Sequence, residues 1–317
     1  ADLGADVIKV ERPGSGDDTR GWGPPFLKDG EGNETPESAY YLCANRNKRS
    51  LTVDLSSAEG QAVIRRLAMR SDVLVENFKV GDMARHGLDA ATLRAAHPRL
   101  VYCSITGFGQ DGPYAQRAGY DFAVQGLGGL MSVTGAADGE PQKVGVAVAD
   151  LFTGMYATVA ILAALRHRDA TGEGQAIDMA LLDAQVAMLA NLGSHYLVGG
   201  EVPARQGNAH ANIVPYQVFA VADGHIIVAV GNDRQFARLC ELLGLAALGQ
   251  DARFATNAGR VRHRDALIPV LQQAFRARDR HACLASLEAA GIPCGPVNDL
   301  AEVFADPQVR ARGMVVD

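Results

Sequence analysis

Short apolar runs alternate with amphipathic stretches through the first two thirds of the chain. Strand-like runs at residues 7–10, 73–75 and 100–105 are separated by helical patterns at residues 59–69 and 90–96. Strands that alternate with helices in this way are typical of βαβ units, in which helices cover a parallel sheet. The pattern therefore predicts a Rossmann-like α/β domain with a parallel sheet.

Two long stretches that are almost free of charge follow, at residues 150–166 and 180–197. We expect each to be a helix that is buried within the domain or at a subunit interface. The Gly-rich and polar stretch 199–208 marks a domain boundary, so we predict a large α/β domain over 1–205. The mixed strand and helix patterns after it predict a smaller α+β domain over 206–298.

Composition and charge exclude several classes of protein. The 317 residues are 48% hydrophobic and 21% charged, as in globular proteins. A net charge of −6 disfavours a general nucleic-acid or anionic-membrane surface. The apolar runs are shorter than the roughly 20 residues that span a bilayer, so no membrane segment is predicted. Five cysteines without a CxxC pair and scattered histidines indicate no disulfide framework, no metal site and a cytoplasmic location.

The ends of the chain interrupt its patterns. Residue 1 is Ala rather than Met, and the last residues lie within an apolar run. We expect further segments of the protein on both sides.

The familiar catalytic motifs are weak or absent. Residues 107–112 fit GxGxxG after a strand, but the polar, Gly-closed stretch that follows does not open the helix that a dinucleotide site requires. No GxSxG elbow or P-loop is present, so neither a serine hydrolase nor a kinase is indicated.

Asp150 begins the first of the long apolar helices and permits two interpretations. Aspartate is a favoured N-cap, and an anion is stabilised at a helix N-terminus. The same environment keeps a largely buried carboxylate ionised and therefore nucleophilic. Spacing alone leaves both interpretations open.

Basic and amide side chains cluster in three places around Asp150 in the sequence: Arg12 with Arg20, residues 45–49, and residues 76–79 with Arg85. Two of these clusters follow predicted parallel strands, and ligands of open α/β sheets collect at the carboxyl ends of strands. The clusters therefore indicate a ligand that carries phosphate.

Six motifs occur in an order that resembles one enzyme family. They are DLGADVIKVERPG at 2–14, NRNKRS at 45–50, ENF at 76–78, SITGFG at 104–109, RAGYD at 117–121 and DLFTG at 150–154. Together they resemble the class III CoA-transferases of the CaiB/BaiF type, and GIPCGPV at 291–297 with DPQV at 306–309 extends the likeness to the end of the chain. The resemblance favours Asp150 as a nucleophile over a simple cap.

The mechanism that the resemblance implies is covalent. Asp150 would attack an acyl-CoA to give a mixed anhydride, then an aspartyl-CoA thioester that an acceptor acid resolves. The glycines of residues 126–129 are candidates for bringing N–H groups to the oxyanions.

The resemblance also implies which residues line the CoA groove, with CoA or acyl-CoA as a substrate and no tightly bound cofactor. By their match to the family motifs these residues are Arg12, Val53, Asp54, Leu55, Ser56, Asn77, Phe78, Lys79, Arg85, Arg117, Ala118, Gly119 and Tyr120. The earliest contacts of the family lie upstream of residue 1.

Two alternatives stay open at the level of sequence. Racemases of the same fold carry a Gly-His-Asp triplet, but this chain has Gly119-Tyr120-Asp121, and a phenol with a pKa of about 10 is a poor substitute for imidazole. A CoA-binding protein without catalytic activity is the other alternative.

Within the family, the stretches 207–217 and 231–236 are most similar to the branch that moves CoA from succinyl-CoA to glutarate. The resemblance therefore implies a dicarboxylate acceptor. It also implies an interlocked homodimer, in which residues 299–317 return to the large domain.

Overall fold

The computed structural model of the chain describes residues 1–315 and divides into two compact units. Unit 1 comprises Ala1–Leu130 and Val144–Ser194. Unit 2 comprises Met131–Lys143 and the chain from His195 onward. The domain boundaries at 205 and 298 and the return of residues 299–317 stay predictions.

Unit 1 confirms the α/β class through its parallel sheets. β1 pairs in parallel with β4, β5–β6–β7 form a second parallel sheet, and β2–β3 form an antiparallel hairpin that the hydrophobic pattern does not predict. The strands are β1 (Val7–Glu11), β2 (Phe26–Lys28), β3 (Glu34–Ser38), β4 (Lys48–Thr52), β5 (Val73–Glu76), β6 (Val101–Thr106) and β7 (Ala176–Ala180).

The helices of the first two thirds of the chain largely follow the sequence pattern. After a 3-10 turn at Asp18–Gly21, they are α1 (Ala39–Asn45), α2 (Ala58–Ala68), α3 (Asp82–Arg85), α4 (Ala90–Ala96), α5 (Asp121–Leu127), α6 (Leu130–Val133), α7 (Val148–Thr171), α8 (Leu181–Ala187) and α9 (Ala190–Gly199). No helix follows the GxGxxG stretch directly, in agreement with its interpretation as a turn.

The two apolar helices differ from their prediction. Helix α7 is longer than expected and ends at Gly172, whose φ of +85° is the left-handed conformation that glycine adopts freely at a helix C-terminus. The stretch 180–197 is interrupted after α8, because α9 begins at Ala190, whose φ of +46° lies in the left-handed region. One face of α7 is exposed in the single chain, so that face is not buried within the domain, and its burial at a subunit interface stays a prediction.

The core of unit 1 lies between its helices and the parallel strands. Leu88, Leu93, Leu100 and Tyr102 are almost fully buried in a cluster that α2 and α4 cover. The carboxyl ends of the parallel strands are left at the surface, followed by the loops that carry the predicted CoA residues.

Unit 2 is the small α+β unit that the sequence predicts. Its antiparallel sheet has the order β10–β9–β8 and packs with helices around Phe219, Ile226, Leu271 and Phe275. The strands are β8 (Tyr216–Val221), β9 (Gly224–Ala229) and β10 (Cys294–Pro296). The helices are α10 (Asp233–Leu242), α11 (Ala246–Gly249), α12 (Asn257–Arg262), α13 (Arg264–Arg276), α14 (Arg280–Ala289), α15 (Leu300–Ala305) and α16 (Pro307–Ala311).

Candidate active site

Asp150 is the third residue of α7, which begins at Val148. The N-cap position is occupied by Ala147, whose side chain accepts no hydrogen bond, so the interpretation of Asp150 as the N-cap is wrong. Within residues 1–315, no donor forms a hydrogen bond with the Asp150 carboxylate. Both of its oxygens are therefore free for another partner.

The start of α7 is capped instead by Asp121, the first residue of α5. Its Oδ1 accepts hydrogen bonds from the N–H groups of Ala149 at 2.8 Å and Asp150 at 3.4 Å. Its Oδ2 accepts from Nε2 of the buried Gln125 at 2.7 Å. The sequence gives no local signal for this cap, because the carboxylate comes from a different helix.

The electrostatic environment of Asp150 differs from the one expected at a helix N-terminus. Loss of hydration raises the pKa of the Asp150 carboxyl, and the charge of Asp121 raises it further. The residue is nevertheless exposed by its accessible surface, so the prediction of a largely buried carboxylate is wrong. Asp150 is thus accessible and more basic than an ordinary aspartate, which favours nucleophilic attack by the ionised form.

Tyr40 of α1 lies within electrostatic range of Asp150, a proximity that the sequence does not reveal. Its ring packs edge to face on Trp22 with 5.0 Å between centroids. Burial raises the pKa of Tyr40, and the charges of Asp150, Cys43 and Asp121 add to the effect. Tyr40 therefore keeps its hydroxyl proton at neutral pH and brings a hydrogen-bond donor into the neighbourhood of Asp150.

Arg12 and Val53 lie together at the carboxyl end of the β1–β4 pair. Arg12 directly follows β1, Val53 directly follows β4, and the Val53 N–H donates to the Glu11 carbonyl at 2.9 Å. The Arg12 guanidinium is exposed and pairs with Asp18 at 3.1 Å. The Val53 side chain is only 8% exposed and belongs to the core, so only its main chain is available to a ligand.

Asp54, Leu55 and Ser56 form the turn between β4 and α2. Hydrogen bonds from the Ser56 hydroxyl and N–H lower the pKa of Asp54. The Leu55 carbonyl accepts from Gln61 at 3.1 Å. Since the ionised Asp54 repels phosphate, Ser56 and the main chain are the parts of this turn that suit an anionic ligand.

Asn77, Phe78 and Lys79 are exposed directly after β5. The Phe78 N–H donates to the Glu76 carboxylate at 2.8 Å, which fixes the turn. A cavity of about 430 Å³ lies beside them, and Lys79 and Glu76 contribute to its lining. Arg85, at the end of α3, is exposed and forms an ion pair with Asp82.

Arg117 and Ala118 are exposed in the loop between β6 and α5. The Arg117 guanidinium lies over the Tyr114 ring at 4.5 Å and near the Phe108 ring at 5.8 Å. These cation–π contacts hold the Arg117 side chain against the loop, although the residue stays exposed to solvent.

Gly119 and Tyr120 follow in the same loop. A Cβ on Gly119 would lie 2.3 Å from the Gly107 Cα, so the close approach of two backbone segments requires glycine here. Tyr120 is 73% exposed and starts α5 as its N-cap residue, next to Asp121. The loop thus links one predicted CoA segment to the carboxylate that caps α7.

Some of the basic side chains in the three clusters have structural partners. Arg20 forms a bidentate ion pair with the buried Glu11 and is therefore not free to bind a ligand. Arg46 and Arg49 pair with acids of the first six residues. Arg12 and Arg85 also form ion pairs, with Asp18 and Asp82, so pairing alone does not decide which of the exposed cations contacts phosphate.

The glycines of residues 126–129 serve packing and turn geometry. The N–H of Gly128 donates to Val124 at 2.7 Å and that of Gly129 to Gly126 at 3.3 Å. A Cβ on Gly128 would lie 2.4 Å from the Gln185 Cγ. These two N–H groups are engaged, so the expectation that they approach an oxyanion is not supported.

Residues 1–317, the whole chain, match the model of the family described as CoA-transferase family III. The chain belongs to this family. It is therefore a transferase, and its substrates include a CoA thioester, since that is the chemistry for which the family is named. Tyr120 in place of the racemase histidine is consistent with this assignment.

Relatives of this CoA-transferase cover it from end to end. A succinate–glutarate CoA-transferase of Agrobacterium fabrum is 54% identical over 317 residues, which are 100% of this chain and 79% of that protein. The succinyl-CoA:glutarate CoA-transferase of Homo sapiens is 45% identical over 316 residues, 100% of this chain and 70% of that protein. The crystal structure of a CaiB/BaiF family protein from Brucella suis is 54% identical with a TM-score of 0.88, covering 100% of this chain and 82% of that one.

Helix α7 of this CoA-transferase is long and apolar enough, by length and composition only, to cross a membrane. The uncharged run within this helix of 24 residues extends over 151–165, which is shorter than the roughly 20 residues that span a bilayer. One such helix is weak evidence of a span, because the core helix of a soluble protein passes the same test.

Proposed function

We propose that this family III CoA-transferase moves CoA from succinyl-CoA to a dicarboxylate, with glutarate as the acceptor and Asp150 as the nucleophile. The observation that carries the proposal is the accessible Asp150 carboxylate, which has no donor within residues 1–315 and has a raised pKa. The substrate pair is supported by the two relatives that are named for it.

The proposed reaction proceeds through two kinds of acyl intermediate on Asp150. The carboxylate attacks the thioester carbonyl carbon, the C–S bond breaks, and a mixed anhydride and CoA thiolate form. The thiolate attacks the aspartyl carbonyl, succinate leaves, and an aspartyl-CoA thioester remains. Glutarate attacks this thioester, and the released thiolate then attacks the glutaryl carbonyl of the new anhydride to give glutaryl-CoA and free Asp150.

The CoA groove is proposed to run along the carboxyl ends of the parallel strands of unit 1. Arg12 follows β1, Lys79 follows β5 and Arg85 ends α3, and all three are exposed cations. Arginine and lysine at such positions suit the phosphates of a CoA ester. The turn 53–56 and the loop 117–120 contribute main-chain and side-chain contacts to the same groove.

The substrate assignment is tested with the purified protein, succinyl-CoA and a panel of acids. We expect glutaryl-CoA to form faster than the CoA esters of monocarboxylates such as acetate and butyrate. Failure to transfer CoA to any dicarboxylate would overturn the substrate proposal while leaving the family assignment intact.

The nucleophile is tested by mass spectrometry after acid quench and by hydroxylamine trapping. The wild-type protein should gain a covalent adduct at Asp150, whereas Asp150→Asn should bind CoA but form none. Asp169→Asn is a matched control, because it changes the exposed aspartate near the other end of α7. An adduct of normal yield in Asp150→Asn contradicts the assignment.

The groove is tested by Lys79→Gln and Arg85→Gln. Each should raise KM for succinyl-CoA about tenfold and leave kcat little changed, because each lost phosphate contact is worth roughly 1.4 kcal/mol. Arg70→Gln is the matched control, since Arg70 is an exposed cation just beyond α2. An unchanged KM in both groove variants excludes these contacts.

A homodimer is proposed from the exposed apolar face of α7. Leu151, Met155, Val159 and Leu162 are each more than half exposed in the single chain, which is unusual for such a face in a monomer. We expect light scattering to give twice 33.5 kDa, and Met155→Asp with Leu162→Asp to give the monomer mass. A monomeric wild-type protein contradicts the proposal.

A cytoplasmic location and the absence of a tightly bound cofactor also remain proposals. Cell fractionation tests the location, and native mass spectrometry tests for a bound cofactor.

A further inference from the structure

The first turn of any α-helix carries N–H groups that lack intrahelical partners, and a side chain near that turn commonly accepts them. In α7 the natural local acceptor is Asp150, which lies in this turn. Asp121 takes the role instead, with its Oδ1 at 2.8 Å from the Ala149 nitrogen. Of the two carboxylates at the start of α7, Asp121 therefore accepts the backbone N–H groups, and Asp150 has no hydrogen-bond donor within residues 1–315.

Asp121 is itself held in place by a buried partner. Gln125, one turn along α5 and fully buried, donates from Nε2 to the Asp121 Oδ2 at 2.7 Å. The Oε1 of Gln125 accepts from the Val144 N–H at 2.9 Å. This relay ties α5 to the segment before α7 and to α7 itself.

We propose that Asp121 is a positioning residue for the Asp150 nucleophile: by accepting the first N–H groups of α7, it leaves the Asp150 carboxylate without a helical partner and free to attack. This inference rests on the proposed function of Asp150. Without Asp121, we expect the Asp150 side chain, which lies in the same helical turn, to accept these N–H groups, and a carboxylate that accepts hydrogen bonds is less nucleophilic.

The charge of Asp121 acts in the same direction. Alongside loss of hydration it raises the pKa of Asp150, so the nucleophile is more basic than the helix N-terminus alone would make it. Tyr40 on α1 is within electrostatic range of Asp150 as well, and it donates no hydrogen bond to the Asp150 carboxylate within residues 1–315. Asp121 is therefore the group whose charge is expected to move the pH dependence of the adduct.

The hydrogen-bond relay dictates the variants. In Asp121→Asn the amide oxygen still accepts from Ala149, but the amide nitrogen faces the Gln125 Nε2, so two donors oppose each other. Adding Gln125→Glu supplies an acceptor at that point and keeps the acceptor for Val144. The double variant therefore restores every hydrogen bond and moves the negative charge one helical turn away from Asp150.

The readout is the single-turnover rate of Asp150 adduct formation with succinyl-CoA, measured beside KM and the thermal midpoint. Asp121→Asn should slow adduct formation about tenfold with KM unchanged, and the double variant should recover most of that rate. In both variants the pH midpoint of adduct formation should shift to lower pH. Gln125→Met, which leaves Asp121 but removes its second donor, should cause a smaller loss of about threefold.

Asp279→Asn is the matched control, because Asp279 is an N-cap of α14 in unit 2. A wild-type adduct rate in Asp121→Asn and Gln125→Met, with only a lower thermal midpoint, would show that the cap is merely structural and would overturn this inference alone. A wild-type protein that forms no adduct overturns the proposed function together with the inference. The two failures are therefore distinguishable in one experiment.

Discussion

Replacing Glu11 of unit 1 should change the free energy of unfolding by an amount that follows from the pKa of its carboxylate. Glu11 ends β1, is 6% exposed, and directly precedes the candidate CoA contact Arg12. Its carboxylate accepts from Nε and Nη2 of Arg20 at 2.9 and 3.0 Å, from the Ser50 hydroxyl at 2.7 Å and from the Asp17 N–H at 3.0 Å. Glu11→Gln removes the charge and turns one acceptor into a donor that faces other donors.

The magnitude follows from the pKa of Glu11. Hydrogen bonds from Arg20 above all, then from Ser50 and the Asp17 N–H, lower that pKa from 4.5 to about 2. A shift of this size corresponds to about 3 kcal/mol of stability for the ionised form at neutral pH. Because the folded pKa is depressed, this contribution is complete above the unfolded pKa and is lost as pH falls from about 4.5 towards 2.

Trp22 provides the assay, since it is the single tryptophan of the chain and lies in unit 1. Urea unfolding followed by its fluorescence at pH 7 should show a loss of about 3 kcal/mol in Glu11→Gln, near the lower end of the range for breaking a buried pair. The difference from wild type should shrink as the pH approaches 3. Glu59→Gln, an exposed glutamate on α2, is the control. A loss below about 1 kcal/mol, or one that does not change with pH, would refute the reasoning.

Three further replacements have defined outcomes. Asp150→Asn should raise the thermal midpoint at pH 7, because a raised folded pKa means that the ionised form destabilises the protein; the gain should vanish as pH falls through that pKa. Gly119→Ala should lower the midpoint by several degrees and raise KM for succinyl-CoA, because its Cβ would collide with the Gly107 backbone. Arg260→Met should lower the free energy of unfolding of unit 2 by about 3 kcal/mol, because the buried guanidinium donates to the Val214 carbonyl at 2.6 Å. Amide hydrogen exchange in β8 measures this loss.

The parallel strands were predictable because their residues are apolar and because the stretches between them have a regular helical pattern of apolar residues. β5, β6 and the helices α2 and α4 start and end within one or two residues of the pattern. The hairpin was not predictable, since β3 (Glu34–Ser38) consists mostly of polar residues and contains a proline, and its one fully buried residue is Ser38. The break before α9 was also hidden, because Ala190 is an alanine in a left-handed conformation that nothing in the local sequence requires.

The positions of site residues that directly follow a strand were predictable from the sequence. Contacts between residues that are far apart in the chain were not. Residues that follow β1, β4 and β5 had to lie at the carboxyl ends of those strands, so the positions of Arg12, Val53 and Asn77 were predictable, while their contact with CoA stays a prediction. The cap of α7 comes from Asp121, separated from Ala149 by 28 positions. Likewise Arg20 looked like a ligand contact until its ion pair with Glu11, nine residues away, was seen.

The start of α7 combines two requirements that oppose each other. An attacking carboxylate must be accessible and unpaired, yet an unpaired carboxylate whose hydration is reduced destabilises the fold. Helix α7 needs its first N–H groups satisfied, and Asp150 would satisfy them and stabilise the helix if it were the acceptor. Asp121 accepts these N–H groups instead and is itself held by a hydrogen bond from Gln125, so the helix stays capped. The destabilisation by an unpaired anion is then limited to Asp150. On the proposed mechanism, the raised pKa of Asp150 is the expected consequence of leaving this carboxylate unpaired for attack while the nearby Asp121 caps the helix.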